Sequence, residues 1–332
     1  MNFEKLAEML FGNLEHDYKY YLEKYPKRNL DKDAQVMRFA PSPTGFFHIG
    51  GLYSAMISHV TTKKSNGVFY LRIEDTDQKR EIEGAGDIIY NSLLDFGVVP
   101  AEGYRGSNLD ESGNYGPYIQ SKRKDIYLAF AKELVRRGRA FPCFCQKTES
   151  KQDVLDRRNQ MLEQEDTILA KDPCRDLTIE QIKQNLDAGL PFAIRLKSMG
   201  NPEKTIKICD LIKGEREIRE NDKDIILLKS NLIPPYSLAH VVDDTLMGTT
   251  IVVRGDEWYA SLASHLEIFD ALGLTPPKYA HTPVASKIDE ETQTKRKLSK
   301  RKDPEADIRF YSQQGYPKQV VIDYILNLLN SD

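Results

Sequence analysis

Residues 36–51 read VMRFAPSPTGFFHIGG, and this stretch decides the fold. The apolar run over 36–40 predicts a buried strand that ends at two prolines, and the glycine pair begins a helix that stops at Asn66-Gly67. A second strand is predicted over 68–73 and a second helix over 82–96. Strand, helix, strand and helix within about sixty residues predict an α/β fold with a doubly wound parallel sheet.

The segments on either side do not follow this alternation of strands and helices. Residues 1–35 predict an N-terminal helical extension, with Phe3, Leu6, Leu10 and Leu14 at helical spacing. Residues 121–137 predict a further amphipathic helix. Residues 141–232 then combine a Cys-x-Cys strand, a charged helical run over 149–171, a short helix over 178–188 and the strand FAIRLK. We interpret 141–232 as an inserted α/β domain rather than a continuation of the sheet.

The βα rhythm resumes after the insertion. Strands are predicted over 238–242, 250–253 and 278–284, with a helix over 258–272 and helical material from 307 onward. The predicted domains are therefore the extension (1–35), a first half of the sheet domain (36–140), the insertion (141–232), a second half (233–302) and the start of a helical region (303–332).

Composition excludes several classes of protein. The 332 residues are 40% hydrophobic and 29% charged, which is ordinary for a globular protein, and the net charge of -3 excludes a nucleic-acid binder that relies on bulk positive charge. The N-terminus lacks the apolar core of a secretory signal, and no apolar run approaches the roughly 18 residues of a membrane span. Four cysteines are too few for a disulfide framework. We expect a cytoplasmic monomer with no membrane contact.

The turn between the first strand and the first helix is a candidate nucleotide site, because open α/β sheets bind nucleotides there. Gly50 and Gly51 let a phosphate approach the helix N-terminus, where free N–H groups and the helix dipole favour an anion. His48 can donate a hydrogen bond to a phosphate oxygen. For the glycine pair alone, a simple Gly/Pro turn beside a solvent-facing histidine is an equally good interpretation.

A basic loop forms the second candidate element. Residues 295–302 read KRKLSKRK, which places six basic residues in eight. Such a run is usually a solvated face or a nucleic-acid tail. Here it follows the last predicted strand, so it can fold over a ligand at the strand ends, and Lys297 and Lys300 on either side of Ser299 suit the polyphosphate of ATP.

Four motifs in this order closely resemble bacterial glutamyl-tRNA synthetases, which are class I aminoacyl-tRNA synthetases: RFAPSPTG, LRIEDTDQKR, AHVVDDTLMGTTIVVRGDEW and KRKLSKRKDPEA. The resemblance runs from about residue 36 to the end of the chain and is looser in the insertion. The PSPTG turn favours glutamate over glutamine as substrate. The resemblance implies a Rossmann-like catalytic domain with an inserted acceptor-binding domain. It also implies activation of L-glutamate by ATP with Mg²⁺, followed by transfer of the glutamyl group to the 3′ end of tRNA(Glu).

The resemblance also implies site residues. His48, Lys297 and Lys300 would be catalytic, and ATP would be bound by these three with Gly50, Gly51, Glu257, Trp258, Leu298 and Ser299. Glutamate would be bound by Arg38, Ala40, Ser42, Glu74, Tyr236, His240 and Arg254. The two arginines would hold the side-chain carboxylate and Glu74 the ammonium group. His240 stands where many relatives have asparagine, and Gly51 departs from the usual histidine of the motif. An ordinary cross-strand ion pair between Arg38 and Glu74 is the alternative.

The cysteines raise the question of zinc. Cys143-x-Cys145 with Cys174 resembles the zinc knuckle of some relatives, but Asp176 stands where a histidine would be expected. We therefore favour buried reduced thiols over zinc, assign no metal ligand, and take Cys209 as a core residue.

Two other functions compete with this prediction. A tRNA-modifying paralogue that attaches glutamate to a queuosine base also lacks an anticodon-binding domain, although it resembles the synthetase core without a charged extension of this kind. A catalytically silent RNA-binding module is the other, and the joint presence of the site residues argues against it. Because the sequence ends within helical material, we expect the anticodon-binding domain to lie beyond it.

Overall fold

The computed structural model describes residues 1–45, 47–77, 81–145, 172–289, 292–298 and 302–330. Its strands are β1 Val36–Phe39, β2 Val68–Leu71, β3 Glu102–Gly103, β4 Ala140–Cys143, β5 Ala193–Leu196, β6 Thr205–Asp210, β7 Gly214–Arg219, β8 Ile226–Leu228, β9 Ile251–Gly255, β10 Lys278–Thr282, β11 Ser286–Ile288 and β12 Lys295–Lys297. Its α-helices are α1 Phe3–Phe11, α2 Tyr18–Lys24, α3 Ile49–Lys64, α4 Ala85–Asp95, α5 Lys124–Arg136, α6 Ile179–Asp187, α7 Tyr236–Leu246, α8 Leu262–Leu272, α9 Ile308–Gln313 and α10 Lys318–Asn330.

The centre of the fold is a seven-stranded sheet in the order β3-β2-β1-β9-β10-β6-β7. Neighbouring strands from β3 to β6 are parallel, and only β7 is antiparallel to its neighbour. The chain proceeds from β1 to β2 on one side and from β9 to β10 on the other, so the strand order reverses between β1 and β9. In open α/β sheets, ligands bind at the carboxyl ends of the strands beside such a reversal. The predicted doubly wound α/β fold is confirmed.

Two apolar cores cover the sheet. On one side, α5 is buried along most of its length, and the N-terminal helices α1 and α2 pack against it through Leu6 and Tyr21. On the other side, α3 packs on β1 and β2, and the C-terminal helices α9 and α10 close the layer through Ile308 and Ile325. Because both faces of the sheet are covered, β1 is buried at every position, as is usual for parallel sheets.

The segment between β4 and β8 contributes to two sheets. Strands β4, β5 and β8 form a separate antiparallel sheet, as an inserted domain would. The hairpin β6–β7 instead joins the edge of the main sheet, where Tyr279 of β10 pairs with Asp210 of β6. Our expectation that the segment does not continue the sheet is therefore wrong for this hairpin. The predicted domain limits stay a prediction.

Several predicted elements need correction. Residues 238–242, predicted as a strand, lie in helix α7, because Tyr236, His240 and Asp244 recur at the four-residue spacing of one helix face. The N-terminal extension forms two helices, since Gly12 adopts a left-handed conformation that ends α1. The material from 307 onward also forms two helices, and the helix predicted over 258–272 begins as a 3-10 turn at Asp256. The predicted helix over 149–171 lies outside the described residues.

Within the part of the chain that the structure describes, none of the helices has the length and apolar character needed to cross a lipid bilayer.

Candidate active site

A cavity of about 400 Å³ opens at the carboxyl ends of β1 and β9, at the reversal of strand order. It is lined by thirteen of the predicted site residues: Arg38, Ala40, Ser42, His48, Gly50, Gly51, Glu74, Tyr236, Arg254, Glu257, Trp258, Lys297 and Leu298. Two further predicted ATP-binding residues of the basic loop, Ser299 and Lys300, lie outside the described residues. Another cavity, of about 710 Å³, lies between the hairpin β6–β7 and α8, but none of the predicted site residues lines it.

His48 caps the helix that borders the cavity. Its Nδ1 accepts a hydrogen bond of 3.0 Å from the backbone N–H of Gly50, so in the neutral ring the proton must sit on Nε2. The ring can thus donate a hydrogen bond from Nε2. A Cβ atom added to Gly51 would lie 2.9 Å from the Phe47 ring, and this close packing explains why glycine stands at the last position of the motif.

Lys297 lines the same cavity and stands at the end of β12. Its Nζ lies 2.9 Å from Oε1 of Glu257, which follows β9. Burial works against ionisation of Glu257, but the lysine ammonium lowers the pKa of this carboxyl below its ordinary value. The motif near the start of the chain and the basic loop near its end therefore meet at the same cavity.

Arg38 is held from behind by Asp244. It stands on β1 with 4% of its surface exposed, and its Nε lies 3.3 Å from Oδ2 of Asp244 on α7. Its Nη1 donates to the carbonyl oxygen of Val253 at 3.2 Å, and its Nη2 lies 3.5 Å from the hydroxyl of Tyr236. Burial alone would raise the pKa of the Asp244 carboxyl, but Arg72 and Arg38 hold it well below the ordinary value. Asp244 is therefore an anion that orients Arg38.

Arg254 has a different environment. Its Nε donates to Nε2 of His281 at 2.9 Å, and its Nη1 lies 3.1 Å from Nδ1 of His265. Burial lowers the pKa of both imidazoles, so both rings are neutral. The contacts to the Tyr236 hydroxyl and the Trp258 carbonyl are longer, 3.5 and 3.4 Å. Among the described residues, no carboxylate lies within ion-pair distance of Arg254, so its charge is left for a ligand.

Glu74 supplies a carboxylate to the same cavity. Its Oε1 accepts a hydrogen bond of 3.0 Å from Nη2 of Arg72. Arg72 is fully buried, and its Nη1 lies 2.8 Å from Oδ1 of Asp244. Burial raises the pKa of Glu74 to about 7, although Arg72 and Arg38 oppose the rise. The alternative of an ion pair between Arg38 and Glu74 is wrong, since Arg38 pairs with Asp244 and Glu74 with Arg72.

His240 does not reach the cavity. Its ring is completely buried behind that of Tyr236, on which it stacks with centroids 5.1 Å apart. Its Nδ1 lies 2.6 Å from Oδ2 of Asp244, and its Nε2 lies 3.0 Å from the hydroxyl of Tyr279. Among the predicted glutamate-binding residues, His240 alone fails to line the cavity, because helix α7 presents Tyr236 one turn closer to the opening.

A model of the family "tRNA synthetases class I (E and Q), catalytic domain" matches residues 35–331. The chain belongs to this family. Glutamate–tRNA ligase of Clostridium perfringens is 48% identical over 338 residues, covering 100% of this chain and 60% of that protein. The corresponding ligase of Acetivibrio thermocellus is 48% identical over 335 residues, with the same coverage of 100% and 60%.

A solved structure agrees with this family. The crystal structure of a glutamate tRNA ligase from Elizabethkingia meningosepticum in complex with its amino acid has a TM-score of 0.69 to this chain at 31% identity. The match covers 85% of this chain and 53% of that one. The chain spans about 60% of the length of the curated relatives that it matches.

This class I synthetase catalytic domain also contains site residues that the sequence did not reveal. Asp244 and Arg72 hold Arg38 and Glu74 in place, and His281 and His265 hold Arg254. The adjacent Asp243 and Asp244 within an apolar run, seven and eight residues after Tyr236 at the start of α7, were the available signal, and a helical period would have placed them on the face of Tyr236. No comparable sequence signal marks the two histidines.

A cysteine cluster lies away from this cavity. The sulfur atoms of Cys143, Cys145 and Cys174 and a carboxylate oxygen of Asp172 all lie within 4.8 Å of one another. The Sγ atoms of Cys145 and Cys174 are 3.6 Å apart, close to the roughly 3.8 Å edge of a zinc–thiolate tetrahedron with bonds of about 2.3 Å. The donor set and its spacing fit a tetrahedral zinc ion. Asp176, which stands where a zinc knuckle would have a histidine, is not part of the cluster, and its Oδ1 lies 3.5 Å from Nζ of Lys197.

Proposed function

We propose that this catalytic domain activates L-glutamate with ATP to glutamyl-adenylate and pyrophosphate, and then transfers the glutamyl group to the 3′ end of tRNA(Glu). The observation that carries the proposal is the uncompensated charge of Arg254 beside Arg38 in the same cavity as His48 and Lys297. A substrate with an acidic side chain and a nucleoside triphosphate fit these charges together.

The amino-acid half of the proposal is supported by charge and shape. Arg254 offers a planar guanidinium to the side-chain carboxylate, Arg38 lies next to it, and Tyr236 contributes a hydroxyl within 3.5 Å of both. Glu74 would accept the substrate ammonium, with Ser42 and the backbone of Ala40 beside it. Glutamine is disfavoured because its neutral amide would leave the buried guanidinium unpaired, at a cost of roughly a few kcal/mol.

The ATP half is supported by the helix N-terminus and the basic loop. Gly50 and Gly51 open the backbone at the start of α3, where an anion is favoured, and His48 can donate from Nε2. Lys297 would approach the phosphates from the other side, joined by Ser299 and Lys300. Glu257, Trp258 and Leu298 would line the nucleotide, and Mg²⁺ would be bound through the phosphates.

Catalysis then needs no protein nucleophile. The substrate carboxylate attacks the α-phosphorus, pyrophosphate leaves, and the domain contributes alignment and stabilisation of negative charge on the phosphate oxygens. His48 and Lys297 would both contribute to this stabilisation, since both line the cavity. Because Lys297 is neutralised by Glu257 in the ligand-free domain, the bound polyphosphate would replace Glu257 as its partner.

We further propose that Cys143, Cys145, Cys174 and Asp172 hold a structural zinc ion. Zinc bound there would stabilise the fold around β4 and would supply no chemistry to the cavity. Asp172 suits the role because Nε of Arg195, 2.9 Å from its Oδ2, fixes the carboxylate from outside.

The decisive test is ATP–pyrophosphate exchange with glutamate, measured with and without tRNA. We expect exchange with L-glutamate and at least a hundredfold less with L-glutamine. Exchange that is absent under both conditions would overturn the proposal and favour a silent binding module. Aminoacylation of tRNA(Glu) against tRNA(Asp) separates the proposed ligase from the tRNA-modifying paralogue.

A further inference from the structure

Three buried side chains form a chain of contacts behind Arg254. They stand on neighbouring strands of the main sheet: Asp210 at the end of β6, His281 on β10 and Arg254 on β9. Nε of Arg254 donates to Nε2 of His281 at 2.9 Å, and Nδ1 of His281 lies 2.6 Å from Oδ2 of Asp210. The exposed fractions of the three residues are 2%, 0% and 5% in that order. A contact chain this well buried has a fixed geometry.

Both oxygens of Asp210 lie 3.3 Å from the backbone N–H of His281, but their shorter contacts differ. Oδ1 accepts hydrogen bonds of 3.0 Å from the backbone N–H groups of Ile212 and Lys213. Oδ2 faces the ring of His281, so the Nδ1 atom of that ring must carry the proton. The other ring nitrogen, Nε2, then presents a lone pair to the N–H of Arg254. Asp210 therefore selects the tautomer of His281 that can bind an arginine.

We propose that Asp210 and His281 are positioning residues for Arg254, which hold its guanidinium by the Nε edge and turn its Nη groups toward the amino-acid side of the cavity. This inference rests on the proposed function, since it assigns Arg254 to a substrate carboxylate. The contacts of the Nη groups with Tyr236 and Trp258 are at the long limit of hydrogen bonding, so a carboxylate can replace them.

The neutral imidazole of His281, between Asp210 and Arg254, determines how much of the charge of Arg254 is available to a ligand. If Asp210 contacted Arg254 directly, the two charges would neutralise each other, as Asp244 and Arg38 do at 3.3 Å. A neutral ring between them orients the arginine and leaves its positive charge to the ligand. Discrimination between a carboxylate and an amide depends on that charge, so the pair would determine selectivity for glutamate without touching it.

Asp210→Asn is the most informative variant. The two backbone N–H groups at Oδ1 require an acceptor, so the amide oxygen takes that place and the amide NH₂ faces His281. The NH₂ then donates to Nδ1, so the ring proton moves to Nε2. There the ring N–H opposes the N–H of Arg254. An aspartate-to-asparagine change beside a histidine inverts the histidine tautomer in this way. We expect the KM for glutamate to rise roughly 10- to 100-fold while the KM for ATP stays within about twofold.

Two further measurements separate positioning from a general loss of structure. Nitrogen-15 NMR of the histidine rings, six in the whole chain, should show His281 protonated at Nδ1 in the original protein and at Nε2 in Asp210→Asn. His281→Gln keeps an acceptor for Arg254 and should raise the KM for glutamate less than His281→Leu, which keeps none. Asp224→Asn is the matched control, because Asp224 is a buried hydrogen-bonded aspartate between β7 and β8 that does not line the cavity.

The outcomes distinguish this inference from the proposed function. In one outcome the original protein shows glutamate-dependent exchange, while Asp210→Asn and His281→Leu fold and keep both the KM for glutamate and the discrimination against glutamine. The positioning role is then wrong and the proposed function stands. An unchanged His281 tautomer in Asp210→Asn would also overturn it. If the original protein neither binds nor activates glutamate, both proposals fail together, even where the NMR shows the expected tautomer.

Discussion

Nζ of Lys297 lies 2.9 Å from Oε1 of Glu257, so a lysine from the basic loop is paired with a carboxylate that follows β9. Both side chains are about half exposed, at 53% and 46%, and such pairs contribute little to stability. The contact is therefore weak, and Lys297 can exchange the carboxylate for a stronger anion. A triphosphate provides one.

Replacement of Lys297 should affect the chemical step. For Lys297→Ala we expect the kcat of ATP–pyrophosphate exchange to fall roughly 10²- to 10³-fold, because a fixed cation at the developing phosphate charge is lost. The KM for glutamate should change little, since the lysine is not part of the arginine pocket. Lys295→Ala is the control on the same strand, where the side chain is exposed and does not line the cavity. Equal kinetics for the two variants would remove Lys297 from the phosphate site.

Replacement of Arg254 should affect the amino acid instead. Arg254→Gln is expected to abolish measurable activation of glutamate with little change in ATP affinity, because the ligand carboxylate loses its charged partner. Arg254→Lys should recover only part of the activity, since an ammonium cannot make the planar two-point contact. The control is Arg216→Gln, an exposed arginine on β7. Unchanged use of glutamate by Arg254→Gln would exclude Arg254 from the pocket.

Glu74 should make glutamate binding dependent on pH. Burial raises its pKa to about 7, so the carboxylate that would bind the substrate ammonium becomes neutral as the pH falls below that value. We expect kcat/KM for glutamate to fall by up to about tenfold per pH unit below 7. His240 and His265 do not contribute in this range, because burial lowers the pKa of His240 to about 4 and that of His265 well below its ordinary value.

The variant Glu74→Gln provides the control for this assignment. Its kcat/KM for glutamate should be low and nearly flat between pH 6 and 8. A profile that still follows a group with a pKa of about 7 would assign the titration to another residue.

Stability should respond to the same group with a definite sign. The folded state binds the Glu74 proton more tightly than the unfolded state, since the pKa rises from 4.5 to about 7 on folding. Glu74 therefore lowers the free energy of unfolding as the pH rises from 4.5 to 7. The Tm of Glu74→Gln relative to the original protein should increase between pH 5 and pH 8. A difference in Tm that does not vary with pH would contradict the raised pKa.

The cysteine cluster predicts a metal content. We expect about one zinc ion per chain, and Cys143→Ser should lose it together with several degrees of Tm, because zinc stabilises the folded state. Cys209→Ser is the matched control, since Cys209 lies outside the cluster. The prediction that Cys209 is a core residue is wrong, because it is exposed on β6. Chelation should lower the Tm without changing the KM for glutamate. Protein without zinc that has the same Tm would restore the simpler interpretation of reduced thiols.

Much of the fold and of the cavity could be predicted, because both follow from local patterns. The strand and helix around His48 show the periods of buried secondary structure, and a turn at the reversal of strand order is a predictable ligand site. The convergence of His48 and Lys297 on one cavity was predicted from the two motifs, and the structure places them there. Their roles remain to be tested by the variants above.

What could not be predicted depends on contacts between distant segments. The sequence predicts a strand over 238–242 because Leu238 and its apolar neighbours dominate the pattern, whereas His240 and Asp244 mark helix α7 only by their spacing. The hairpin β6–β7 shows alternating polar residues that do not specify a partner, so its pairing with β10 was missed. The contact of Asp210 with His281 follows from that pairing and was missed with it.

The buried charged residues next to the cavity link substrate specificity to the stability of the fold. Asp244 contacts Arg38 and Arg72, and Arg72 contacts Glu74, so the pocket residues Arg38 and Glu74 are linked through one buried ion pair. Removal of one member leaves an unpaired charge in the interior, which typically destabilises a protein by roughly 3–5 kcal/mol. Redesign of this domain for a different amino acid therefore cannot start from Arg38 alone. It would have to exchange charges in compensating pairs, or begin at Arg254, whose neighbours are neutral.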